Sequence, residues 1–174
     1  MFDRARAMKA AIIVLTCCAL AAPALADEPV GCDKFAWPLD KERTMLTSAD
    51  SVTVASGMKL ALPLPVAVTV ELLPFADAKL PMAPERPPGN PDSFAGFISM
   101  PAPAQPGSYK ITLSSDAWID VVQDGHLLKS GPHTGAMGCA GIRKSVKFNL
   151  APAPFVVQLS SVPGKKIGVA ITGD

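Results

Sequence analysis

From Val52 onward, apolar residues return at every second position in one short run after another. Val66, Val68, Val70 and Leu72 alternate with Ala67, Thr69 and Glu71. Tyr109, Ile111 and Leu113 alternate with Lys110, Thr112 and Ser114. Val146, Phe148 and Leu150 alternate with Lys147 and Asn149, and the pattern returns in Phe155, Val157, Leu159 and in Ile167, Val169, Ile171. A strand turns successive side chains to opposite faces, so this period gives each run one apolar and one polar row. Phe94–Met100 and Ala117–Gln123 read as further strands, and Met58–Leu62 as a short one before Pro63 and Pro65. Prolines fall between the runs, where a missing amide donor costs no ladder bond. Seven to nine short strands with turn signals between them predict an all-β fold, a single jelly-roll-like antiparallel β-sandwich.

A short N-terminal helix precedes the strands. Pro38 suits a first helical position, Asp40 and Glu42 lie near the positive end of the dipole, and Leu39, Met45 and Leu46 can share a face. The reading divides the chain into a leader over 1–26, an N-terminal segment with the helix over 27–50, and the sandwich over 51–174.

The leader has a basic stretch with Arg4, Arg6 and Lys9, an apolar Ala10–Leu20 run and a small-x-small site at Ala24-Leu25-Ala26. That is the pattern of a secretory signal peptide cut after Ala26. The apolar run is short for a retained anchor. Thr16 before Cys17 and Cys17 before Cys18 do not fit the small residue that precedes a lipidated cysteine. The expected location is the periplasm or the exterior, with no membrane span in the mature chain.

Of 174 residues, 16 are Lys or Arg and 15 are Asp or Glu. Once Arg4, Arg6, Lys9 and Asp3 leave with the signal, the net charge is about −1, which gives no electrostatic case for nucleic acid. Arg143, Lys144 and Lys147 are the nearest thing to a basic cluster and read as a solvated strand edge. Of four cysteines, Cys17 and Cys18 lie in the leader. Cys32 and Cys139 are therefore expected to form a disulfide in an exported protein.

Two loops stand out. Pro74–Asp92 carries six prolines in 19 residues. It is either a stiff recognition surface offering Phe75, Leu80, Met82 and Arg86, or a cover packed over an open end of the sandwich. Gly125–Gly141 holds His126, His133, Met137 and Cys139 among five glycines. Imidazole and soft sulfur suit copper or zinc, but a bridged Cys139 is no longer a thiolate ligand. Asp116, Asp120 and Asp124 are each four apart and do not converge as an EF-hand loop does. Trp118 is expected in the core, and Asp120, on the same strand face, needs a partner such as a backbone amide, Arg143 or Lys144. No phosphate loop, nucleophile elbow, His-Glu-x-x-His or Cys-x-x-Cys occurs.

Gly107-Ser108-Tyr109-Lys110-Ile111-Thr112-Leu113, Ala117-Trp118-Ile119-Asp120-Val121 and Phe155-Val156-Val157-Gln158-Leu159 together resemble the bacterial pre-peptidase C-terminal type of β-sandwich over about residues 107–172. The whole chain, with Cys32-Asp33-Lys34-Phe35-Ala36-Trp37-Pro38-Leu39 near its start, resembles small exported proteins of alphaproteobacteria, and that resemblance carries no activity. It brings a faint association with homogentisate dioxygenase. A cupin iron site of that kind places two histidines and a carboxylate on paired strands, whereas His126 and His133 lie seven apart on a glycine-rich loop.

The leading expectation is a non-catalytic periplasmic or secreted β-sandwich that binds a protein or an envelope glycan and needs no cofactor. The competing expectation is a protein that binds copper, zinc or iron through the His126–Cys139 loop.

Overall fold

The computed structural model describes residues 28–48 and 51–174, so the leader assigned to 1–26 lies outside the described residues. Among the described residues eleven strands form two sheets. They are β1 (Val52–Ala55), β2 (Val66–Glu71), β3 (Leu73–Pro74), β4 (Phe94–Met100), β5 (Gly107–Leu113) and β6 (Trp118–Gln123). β7 (His126–Leu127), β8 (His133–Gly135), β9 (Lys144–Leu150), β10 (Phe155–Val162) and β11 (Lys166–Gly173) follow. One sheet runs β1-β2-β11-β5-β9-β8 and the other β3-β4-β10-β6-β7. Every neighbour pair is antiparallel except β1 with β2.

The alternating apolar rows meet between the sheets. Val68, Val70, Ile111, Leu113, Phe148, Val169 and Ile171 face Ile98, Met100, Val121, Phe155, Val157 and Leu159, all nearly inaccessible to solvent. The all-β sandwich expected from the sequence is the observed architecture. Tyr109 is half-buried at the margin of this core, and its hydroxyl donates to the Gln105 carbonyl at 2.7 Å.

The run Met58–Leu62 is not a strand of its own. It forms a single bridge, Lys59 to Ser99, with hydrogen bonds from Gly57 N to Phe97 O and from Leu60 N to Ser99 O. Gly57 turns with φ 88° before it and Pro63 follows it, which leaves no room for a longer ladder.

The polar rows do not face water as alternation alone implies. The helix α1 (Asp40–Thr47) and the extended segment before it cover the outer face of the six-stranded sheet. The first helical position is Asp40, with Leu39 at the N-cap position, so Pro38 lies before the helix rather than at its first position. Gly168 on β11 permits close approach: a Cβ there would lie 3.0 Å from Leu46 Cδ2 and 3.0 Å from Ser114 Oγ. Beneath this cover lies a buried polar layer. Thr112 Oγ1 donates to Ser145 Oγ at 2.9 Å, and Ala36 N donates to Thr134 Oγ1 at 2.9 Å. Glu42 is 1% exposed, accepts a short hydrogen bond from Thr172 Oγ1 and pairs with Lys110 Nζ at 3.0 Å.

The N-terminal segment is clamped at its start. Cys32 and Cys139 form a disulfide with Cα atoms 4.8 Å apart. Gly31 N donates to Met137 O at 2.8 Å, and Met137 N donates to Pro29 O at 2.7 Å. Arg143 Nη2 donates to both carboxylate oxygens of Glu28, at 2.6 and 2.8 Å. Among the described residues no helix is long and apolar enough to cross a membrane.

Candidate functional site

The Pro74–Asp92 excursion does not cap an open end of the sandwich. It lies across the outer face of the five-stranded sheet as a strap, because that face carries two polar side chains that bind its backbone. Gln158 on β10 and Asp120 on β6 are directly opposite in register. Gln158 Oε1 accepts from Met82 N at 3.3 Å, and Gln158 Nε2 donates to Met82 O at 3.2 Å. The side-chain amide thus pairs with the strap as a neighbouring strand would. Asp120 Oδ2 accepts from Glu85 N at 3.3 Å and from Gln158 Nε2 at 3.2 Å. Gln158 and Asp120 are 1% and 4% exposed, and the strap residue Ala78 is 3% exposed. Phe75, Leu80 and Met82 are half-buried, while Arg86 is exposed.

Asp120 has a second job. Its Oδ1 accepts from Trp118 Nε1 at 2.9 Å. Trp118 is therefore not a core residue as expected. It stands on the outer face of β6, half-buried, with its indole oriented by the carboxylate two residues on. Asp120, expected to point inward with Trp118, lies with it on the outer face instead, where the strap buries it and the backbone amide of Glu85 donates to it. The suggested partner Arg143 is instead engaged by Glu28, and Lys144 donates to the Ala117 carbonyl at 3.1 Å. β9 sits between β5 and β8 and is no edge strand, and Arg143, Lys144 and Lys147 are half-buried against Glu28, Trp118 and Trp37 respectively.

Two cations flank the indole. Arg86 Cζ is 5.6 Å and Lys144 Nζ 5.5 Å from the ring centroid. Burial pulls the Lys144 ammonium below the ordinary lysine value; the Asp116 carboxylate opposes this, and the charges of Arg143 and Arg86 add to the lowering. Arg86, Asp116, Trp118, Lys144 and Ser161 line an open cavity of about 390 Å³. A second cavity of about 200 Å³ shares Trp118 and Lys144 and adds Ser130 and His133. Ser160, the cross-strand partner of Trp118, is 1% exposed, and its hydroxyl has no hydrogen-bond partner among the described residues. Ser161 beside it holds φ 58°, at the irregularity where β10 shifts register against β4.

The His126–Cys139 loop is dispersed over the molecule. His126 pairs with Gln123 at the edge of one sheet, and His133 with Val146 at the edge of the other. Met137 bridges to Val30, and Cys139 is in the disulfide. Among the described residues no group of three or more His, Cys, Asp or Glu is arranged to hold a metal ion. Asp116, Asp120 and Asp124 likewise part: Asp116 lines the cavity, Asp120 is under the strap, and Asp124 turns β6 into β7 with φ 52°.

Sequence reasoning did not find the Trp118–Arg86–Lys144 notch as a unit. Arg86 was legible only as part of a proline-rich loop, and Lys144 only as part of a basic strand start. Their meeting depends on where the strap is pinned. No family model matches this chain, and no curated protein or solved structure matches it.

Proposed function

We propose that this protein is a non-catalytic β-sandwich of the periplasm or the exterior that binds a protein or an envelope glycan through the notch at Trp118. The observation that carries the reading is the double use of Asp120. One carboxylate orients the indole through Trp118 Nε1 at 2.9 Å and anchors the strap residue next to Arg86 through Glu85 N at 3.3 Å. A platform fixed by a buried group that also pins the strap backbone before Arg86 needs no ordering of its own when a ligand arrives, which lowers the cost of binding. The scaffold behind it is stapled by Cys32–Cys139, in keeping with an exported protein.

The test is cross-linked retention of the purified protein on an isolated envelope fraction, comparing wild type with Arg86→Gln. Arg86 is exposed, so the substitution leaves the fold in place. Retention that falls several-fold in the variant supports the reading. Equal retention of both proteins, or none of either, overturns it. Metal analysis addresses the competing function: stoichiometric copper, zinc or iron that disappears on replacing His126 and His133 would displace the binding reading.

A further inference from the structure

We infer that the notch takes a uronic acid residue of an acidic glycan. The inference rests on the binding reading above and specifies its ligand. Arg86 and Lys144 each lie within 5.6 Å of the Trp118 centroid. Neither makes a salt bridge among the described residues. Arg143 is neutralised by Glu28 at 2.6 Å. Within the cavity the charges are thus two cations, Arg86 and Lys144, against one carboxylate, Asp116. The two cations outnumber the one carboxylate of the lining, so the cavity favours an anionic group.

The rest of the lining selects the kind of anion. A guanidinium and an ammonium that line the same cavity each offer charge-assisted hydrogen bonds to a carboxylate. The indole gives an apolar wall against which the C–H face of a sugar ring packs. Asp116 and Ser161 offer an acceptor and a hydroxyl for the ring's vicinal hydroxyl groups. An acidic peptide uses the cations equally well, but its glutamate side chains bring no vicinal hydroxyl groups to Asp116 and Ser161. A neutral sugar leaves the surplus charge unmatched. The cavity, about 390 Å³ and open to solvent, accommodates one ring of a chain that continues on both sides.

Burial already disfavours the charged form of Lys144. A ligand carboxylate beside the ammonium removes that disadvantage, so the charge is better accommodated with ligand than without it.

The experiment is calorimetric titration of the purified protein with trigalacturonate, with its fully methyl-esterified form and with triglutamate. Trigalacturonate is expected to bind at least tenfold more tightly than either of the others. Arg86→Gln and Lys144→Met should each weaken it by tenfold or more. Should Lys144→Met fail to fold, the indole N–H resonances of the wild-type protein serve instead: trigalacturonate should shift that of Trp118 and leave that of Trp37 in place. Equal binding of the ester, equal or tighter binding of triglutamate, or a shift confined to Trp37 overturns the inference. Absence of uronate binding, with envelope retention still lost in Arg86→Gln, overturns the inference and leaves the binding reading standing. Absence of both removes the two together.

Discussion

The Glu42 carboxylate reads from the sequence as a favourable charge in the first turn of a helix. In the folded chain it is 1% exposed, beneath α1, with Lys110 Nζ at 3.0 Å and the Thr172 hydroxyl donating to it. Burial pushes this carboxyl upward, and the bonds from Thr172 and Lys110 outweigh it, so the group sits below the ordinary carboxylate value. A carboxyl whose folded value is lowered contributes stability above the unfolded value, and that contribution is lost as pH falls through the folded one. Glu42→Gln leaves Lys110, only 14% exposed, without its counter-charge. It should cost about 3 kcal/mol at neutral pH. The thermal midpoint of the wild type should fall between about pH 6 and pH 3 more steeply than that of the variant. Parallel curves would show that Glu42 is not the titrating group. Asp120 teaches the same point without a charge partner: its three donors come from Trp118, Gln158 and the strap backbone. Parity made it legible that Asp120 shares a face with Trp118, but not that this face is the outer one, buried by the strap.

The Pro74–Asp92 strap shows what one element does for another. A free proline-rich loop changes stability little when shortened, because closure entropy varies by only tenths to about 1 kcal/mol. This one is tied to the sheet by three hydrogen bonds at Met82 and Glu85. At about 1 kcal/mol each, they imply a loss near 3 kcal/mol when the strap is removed. Deleting residues 78–89 should therefore lower the thermal midpoint by about 10 °C. A drop of about 2 °C or less would return the strap to the status of a free loop. The prolines were enough to read most of the segment as a loop, although Pro74 itself ends β3 opposite Phe94. They carried no information on which surface it would cross, since that is set by Asp120 and Gln158, 38 residues apart in sequence and opposite each other in the sheet.

Across the whole molecule, both outer faces of the sandwich are covered, one by the N-terminal segment and one by the strap. The disulfide secures the first of these covers over a sequence separation of 107 residues. Closing a loop of that length restricts the unfolded chain by about 4–5 kcal/mol in the chain-entropy account. Denatured without reduction, the chain from residue 27 onward should titrate no free thiols, and Cys32→Ser with Cys139→Ser should lower the midpoint by about 10 °C or more. Two thiols per chain in the untreated protein would contradict the pairing. The alternating rows, the turn residues and the two remaining cysteines determined the fold class, the apolar interior and the staple, because each depends on chemistry read within a few residues or on simple pairing. The fate of the polar rows was decided only in three dimensions. Thr112, Ser145 and Thr172 have the period of a solvated face and are 0% exposed. Trp118 has the composition of a core residue and stands on the outside, between Arg86 and Lys144. Strand period separates two faces of a sheet, and it cannot distinguish a face met by water from one met by another segment of the same chain.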